Sequence, residues 1–262
     1  MREDKITRAV RHSNLEPSLK QQIISCYDEL ARSGRFPDNT FLHRSLLKQI
    51  EPKLKSTKSL KILDAGGGAG FFGINLALLG HSVVIMDLSL IALSLALKRS
   101  QKQGCSDRVS IVAGDVEQIP FKDESFDAIV CIFVFSHVIN PNNAFGELSR
   151  VLCRGGQLFV NFENKFWHVV ADGLCERYES ALSLLSSDFP LIKAYDILPP
   201  IRLYSAGEIK KLCYDHNLRI NSFTGMRHLA SFQEPLKGIG TTDAEMSMHN
   251  NQKALELEEL LS

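Results

Sequence analysis

The segment LKILDAGGGAGFFG, residues Leu60 to Gly73, constrains this chain more than any other stretch. Leu60 to Leu63 reads as a short buried strand that ends on an acid, Asp64, and runs into a glycine loop. The apolar run from Phe71 to Leu79 reads as a helix. Glycine opens backbone angles closed to other residues and lets a ligand come close to the main chain. A strand, a glycine turn and a helix N-terminus in series present free N–H groups to a nucleoside-bearing ligand.

The pattern repeats downstream. His81 to Met86 is a second apolar strand closing on Asp87, followed by a helix from about Ser89 to Lys102. A third strand, Val109 to Ala113, closes on Gly114-Asp115, and Phe126 to Phe133 is a fourth. Pro141 opens a helix to about Leu152, the turn Arg154-Gly155-Gly156 ends it, and Gln157 to Phe162 is a fifth strand. Ser205 to His216 is a helix with Ser205 and Glu208 spaced as a capping box, and Arg219 to Phe223 is a sixth strand. Such alternation implies an α/β protein: a doubly wound, mostly parallel sheet with helices on both faces.

Residues 1–58 are polar and helical in pattern. One helix has Pro17 in its first turn and runs to about Ala31, and a second, from about Thr40 to Ile50, ends before Pro52. This N-terminal region is either a helical cap over the sheet or a support packed on it. Residues 59–225 form the main domain, with a helical insertion at 164–200 interrupted at Leu198-Pro199-Pro200. Residues 226–262 form a tail with a helix from about Asn250 to Leu261.

Composition weighs against several classes. Lys plus Arg and Asp plus Glu number 30 each, so no overall field draws in nucleic acid or membrane. The opening MREDKITRAVRHSN has no apolar core of a signal peptide, and no run reaches the length of a membrane span, which implies a cytoplasmic protein. Six cysteines without a Cys-x-x-Cys imply free thiols, and eight histidines without paired ligand spacing imply no metal site.

Three acids, Asp64, Asp87 and Asp115, fall at the C-terminal ends of the first three strands, the edge where open parallel sheets bind ligands. An acid after the second strand is placed to accept from both ribose hydroxyls, and one after the third from an adenine amino group. Each alone also suits a helix cap. Gly68-x-Gly70-x-x-Gly73 with Asp87 downstream matches the dinucleotide fingerprint, but Asp64 precedes the glycines, and no tyrosine has a lysine four residues later as a short-chain reductase requires. Ile74 after Gly73 excludes a phosphate-binding P-loop.

Taken together, ILDAGGGAG (62–70), VVIMDLS (83–89), VAGDVEQIPF (112–121), FDAIVCIFVFSHV (126–138), ELSRVLCRGGQLFV (147–160) and LYSAGEIKKLCYDHNLRI (203–220) resemble, in order, the blocks of class I S-adenosylmethionine-dependent methyltransferases. The Ala-Gly-Gly-Gly loop, Phe162-x-Asn164, Thr224-Gly225-Met226-Arg227 and the acidic C-terminal helix are also similar to bacterial tRNA wobble-uridine carboxyl methyltransferases. The resemblance implies S-adenosylmethionine as cofactor, S-adenosylhomocysteine as product, and no metal. It implies that Asp64, Gly66, Gly68 and Gly70 hold the methionine end, Asp87 the ribose, and Leu88, Asp115 and Val116 the adenine. Cys131 and Phe133 would then line the sulfonium.

His137, close after the fourth strand, is the candidate general base; a carboxylate acceptor would need none. Tyr27, Asn164, Trp167, Arg202, Tyr204 and Arg227 are the acceptor-side candidates, in variable parts of the chain. A small metabolite with an O or N nucleophile is the expected acceptor, with a tRNA uridine as alternative. The family's seventh, antiparallel strand has no counterpart after residue 225, which leaves open a homodimer completing the edge or an inactive cofactor-binding partner subunit.

Overall fold

The computed structural model describes residues 5–34, 36, 40–55, 58–193 and 199–225, with side chains from residue 19 onward. Arg227 and the C-terminal helix expected from Asn250 lie outside the described residues, as does any strand after residue 225.

Five strands form one parallel sheet: β1 (Lys61–Ala65), β2 (Ser82–Asp87), β3 (Val109–Ala113), β4 (Phe126–Cys131) and β5 (Leu152–Val160). Their order is β3-β2-β1-β4-β5, so the direction of winding reverses between β1 and β4. Right-handed crossovers on either side of that reversal place helices on both faces. β1 reads KILDA and is buried at every position after its first residue, as a central parallel strand with covered faces must be. Ile62, Leu63, Ile85, Ile129 and Val130 are 0% exposed.

The helices between strands are α3 (Phe71–Leu78), α4 (Leu90–Lys102) and α5 (Pro141–Val151). Ser89 caps α4 and Asn140 caps α5, each side-chain oxygen accepting an N–H three residues on, and Pro141 occupies the first position where its missing N–H is harmless. Ahead of the sheet, α1 (Lys5–Arg32) contains Pro17 inside its length instead of in its first turn. α2 (Phe41–Leu54) continues through Pro52, where termination was expected. Ile50 and Leu54, four residues apart, are 3% and 1% exposed, and their burial on one face holds the last turn past the proline.

After the sheet come α6 (Lys165–Leu174), α7 (Tyr178–Ser186), a two-residue antiparallel ladder of β6 (Leu191–Ile192) with β7 (Ile201–Arg202), and α8 (Ala206–Asp215). The insertion is thus a pair of helices, broken at Glu176, whose φ is 58°. The Ser205/Glu208 capping box at α8 is present in both directions. The chain divides into two compact units, residues 1–163 with 189–218, and residues 164–188 with 219–262.

Three expectations about the sheet are corrected. Arg154-Gly155-Gly156 is no turn before β5 but an irregularity within it, where the register with β4 shifts and Gly155 takes a φ of 76°. β4 stops at Cys131 because Phe133 has a left-handed φ of 62°, which ends extended backbone. Residues Arg219–Phe223, expected as a sixth strand, join no ladder among the described residues, and their apolar members Ile220 and Phe223 are 38% and 53% exposed. β-propensity without a neighbouring strand or a buried face does not hold a strand.

Candidate active site

The C-terminal strand ends of β1, β2, β3 and β4 lie along one edge of the sheet, beside the winding reversal between β1 and β4. The glycine loop rises from β1. Gly68 and Gly70 have φ of 52° and 85°, and Gly70 caps α3 in the left-handed region, so the Phe71–Leu78 helix starts without a side-chain cap.

Asp64 lies beneath this loop, 1% exposed, with one carboxylate oxygen accepting the Gly73 N–H at 2.8 Å. Burial pushes its carboxyl up to about 7, with the Gly73 bond opposing and the nearby Asp87 reinforcing the rise. Asp87 ties the loop to β2: its two oxygens accept the N–H groups of Gly68 at 2.9 Å and Ser89 at 2.8 Å. Burial raises the Asp87 carboxyl despite those bonds. Leu88 beside it is 36% exposed.

Asp115, after β3, accepts the Glu117 N–H at 2.9 Å and the Lys20 ammonium at 2.6 Å. Val116 is 8% exposed and packs in the core. Cys131, at the end of β4, is 0% exposed, and burial raises its thiol. The Phe133 N–H donates to Asn161 Oδ1 at 2.6 Å, which holds the left-handed residue in place across β4 and β5.

Four further contacts place N-terminal residues over this edge. Asp28 accepts the Ser89 hydroxyl at 2.5 Å, and Tyr27 Oη lies 2.8 Å from His137 Nε2. A Cβ on Gly68 would meet the Phe36 ring at 2.6 Å. The His43 ring packs among Phe71, Phe72 and Phe133 at centroid distances of 5.3, 5.8 and 4.6 Å.

His137 lies in a short 3-10 turn, Phe135–His137, whose surroundings are well braced. The Tyr204 hydroxyl, 1% exposed as a residue, donates to the Phe135 carbonyl at 2.8 Å. Arg202 donates to the carbonyls of Val138 and Ile139 at 3.1 and 3.0 Å and to that of Phe189 at 2.9 Å. Glu117 accepts the N–H groups of Ile139 and Asn140 at 2.9 and 3.2 Å. Arg202 and Tyr204, expected on the acceptor side, are therefore committed to main chain around His137. Burial lowers the His137 ring to about 4, so it is neutral at pH 7.

Asn164 and Trp167 belong to the second compact unit: Asn164 caps α6 by accepting the Phe166 N–H at 2.9 Å, and Trp167 lies in that helix. The structure thus brings Asp64, the glycine loop, Asp87, Asp115 and His137 to one edge, with Tyr27 joined to it from α1. Lys20, Asp28, Phe36, His43, Glu117 and Asn161 were not singled out from the sequence. Asn161 lies three residues before Asn164, and the N-terminal residues carry no motif; only contacts 61 and 95 residues apart reveal Asp28 and Lys20.

Residues 63–160 match a family model described as "Methyltransferase domain". A ubiquinone/menaquinone biosynthesis C-methyltransferase, UbiE, of Bartonella quintana is 34% identical over 131 residues, 47% of this chain and 50% of that protein. A malonyl-[acyl-carrier protein] O-methyltransferase of Erwinia pyrifoliae is 25% identical over 231 residues, 88% of this chain and 80% of that protein. The chain thus spans about half the length of the first of these relatives. Among solved structures, a SAM-dependent methyltransferase of Methanosarcina mazei superposes with a TM-score of 0.58 at 22% identity, covering 70% of this chain and 89% of that one, which establishes the shared fold.

Proposed function

We propose that this chain, whose residues 63–160 match a methyltransferase-domain model, transfers a methyl group from S-adenosylmethionine to an O or N atom of a small metabolite. The observation that carries this reading is the convergence of the glycine loop with Asp87 and Asp115 at one strand edge, beside the reversal of winding.

The residues fit that cofactor. Asp87 is held by two backbone N–H groups with its carboxylate between β2 and the loop, the geometry that suits a ribose diol. Gly66, Gly68 and Gly70 let the methionyl portion approach the main chain, over the buried Asp64 that supports the loop. Leu88 would pack on adenine, and Asp115 with Val116 would meet its polar edge. Cys131 and Phe133 would stand at the sulfonium, where an aromatic face favours a cation. The Lys20 ammonium on Asp115 and the Phe36 ring on Gly68 occupy two of these positions, so α1 with Phe36 would act as a cap that must shift for the cofactor to bind.

When bound, the cofactor supplies a methyl on a positively charged sulfonium: the acceptor lone pair forms the new bond to carbon as the carbon–sulfur pair passes to sulfur, leaving a neutral thioether. The chain's part is to orient the acceptor in line and exclude water. The cap contributes Phe36, His43 and Tyr27 to a covered, largely aromatic surround. Balanced charge, 30 basic and 30 acidic residues, favours a small acceptor over tRNA.

Calorimetric titration with S-adenosylhomocysteine and, separately, NADH tests the reading. The expected result is binding of the first alone, weakened by about 1–3 kcal/mol in Asp87→Asn. NADH binding without a response to S-adenosylhomocysteine overturns it and revives a reductase. Cofactor binding with no methyl transfer to any acceptor would instead support an inactive partner subunit.

A further inference from the structure

His137 presents a specific chemical puzzle. Its Nε2 is 2.8 Å from the Tyr27 hydroxyl, whereas its Nδ1 is buried and has no hydrogen-bond partner, alone in this among the buried side-chain nitrogens and oxygens of the described residues. An unpaired buried polar atom in a well-satisfied fold is costly and calls for an explanation. The turn has no freedom to remove it, because Tyr204 holds the Phe135 carbonyl, Arg202 those of Val138 and Ile139, and Glu117 the next two N–H groups.

The Tyr27 contact decides which ring nitrogen carries the hydrogen. A phenol O–H is a stronger donor than a neutral imidazole N–H, and an imidazole nitrogen is a stronger acceptor than a phenol oxygen. Tyr27 makes no other hydrogen bond among the described residues, so its proton is directed to Nε2. The neutral ring then bears its hydrogen on Nδ1, the atom without a partner.

We infer that His137 serves the methyl transfer as a neutral N–H donor to an anionic oxygen of the acceptor, and that Tyr27 is the positioning residue that sets this tautomer from α1. The inference rests on the methyltransferase reading and narrows it: the acceptor is a small molecule that arrives ionised, a carboxylate or an acidic phenol. Burial keeps the ring neutral from about pH 5 upward, with a proton affinity too low to strip a neutral alcohol. A neutral donor orients the oxygen without quenching its nucleophilicity, as an imidazolium would by taking up its charge; a neutral imidazole donor has precedent in enzyme sites. Because Tyr27 is on α1, the donor is set only while the cap is seated.

The test uses the full chain labelled with 15N-histidine, with the His137 signals assigned by their loss in His137→Gln. The expected spectrum has hydrogen on Nδ1, no titration between pH 5 and 9, and loss of the single tautomer in Tyr27→Phe. Methyl transfer from labelled S-adenosylmethionine is then measured to benzoate, 4-nitrophenol, catechol and benzyl alcohol. Turnover is expected for oxyanions and not for benzyl alcohol, with a rate that follows acceptor ionisation. His137→Gln, which keeps an N–H donor but no base, should stay within about tenfold of the parent, whereas His137→Ala falls by about a hundredfold or more at unchanged S-adenosylhomocysteine affinity.

Hydrogen on Nε2, or a Gln variant as inactive as the Ala variant, overturns the donor role and returns His137 to general base. Turnover of benzyl alcohol in preference to the oxyanions, or of none of the four, overturns the acceptor class. Failure of the parent chain to bind S-adenosylhomocysteine overturns the methyltransferase reading itself, and is separable because the tautomer is read without cofactor.

Discussion

The central strands β1 and β4 and the α6–α7 pair both carry many apolar residues, yet they differ in what those residues meet. Ile62, Leu63, Ile129 and Val130 are 0% exposed. Phe166, Val170 and Leu174 along α6, and Tyr178, Leu182 and Leu185 along α7, are 47% to 64% exposed. In the first region nearly every displaced atom meets another atom, so backbone geometry is transmitted to the glycine loop and its acids. In the second, side chains change at little consequence to their neighbours. A catalytic constellation needs the first kind of support.

That difference predicts a ranking of effects. The largest is electrostatic. Asp64 has a folded pKa of about 7 against 3.8 for its ordinary value, so the folded state holds the proton more tightly than the unfolded chain. Its contribution is therefore most favourable below pH 4 and is lost as pH rises from about 4 to 7, an effect of up to about 4 kcal/mol. Asp64→Asn keeps an oxygen for the Gly73 N–H and should flatten that decline in denaturant titrations across pH 4–8. An unchanged slope would show that the site is less sealed than its burial implies.

Next comes steric crowding. A Cβ on Gly67 would lie 2.5 Å from Asp64 Oδ2 and 2.8 Å from Ile85 Cγ2, both in the packed interior. Gly67→Ala should lower unfolding stability by about 1–3 kcal/mol, the range for overpacking a core. Gly80 has a φ of 99° but nothing within 4 Å of its Cβ, so Gly80→Ala should show only the backbone penalty, about 1 kcal/mol. Equal losses at the two sites would break the argument from packing.

A polar brace falls at a similar or smaller scale. Arg150 donates to both Glu147 oxygens, to Asp123 and to the carbonyls of Ile119 and Phe121, tying the segment after β3 to α5. Arg150→Met should cost about 1–2 kcal/mol, part of each ion pair being screened by solvent, and the loss should shrink in Glu147→Gln/Arg150→Met compared with the sum of the single changes. At the bottom of the ranking, Leu182→Lys on α7 should alter stability by no more than about 0.5 kcal/mol in the same assay. A loss above about 2 kcal/mol there would mean that this face is covered in solution.

Much of this arrangement is legible in the amino-acid sequence. The strand, glycine loop and helix at residues 60–79, the acids closing β1 and β2, and the acid that follows β3 all follow from local rules. Period-two or continuous apolar runs, turn glycines and capping residues act over a few positions. The same rules failed where distant packing outweighs local preference: Pro52 stays helical because Leu54 is buried beyond it, and Arg219–Phe223 lacks the neighbour that its β-prone residues need.

The sequence by itself determined the α/β winding, the strand–glycine loop–helix turn at residues 60–79 and the gathering of acids at one strand edge, since each depends on residues close together in the chain. Only the tertiary structure decided what individual polar side chains do. Arg202 and Tyr204 became braces of the His137 turn, Lys20 met Asp115 across 95 residues, and Tyr27 met His137 across 110. A long polar side chain can satisfy itself in water or against many partners, and its choice is made by which buried donors and acceptors the finished fold leaves within 3 Å.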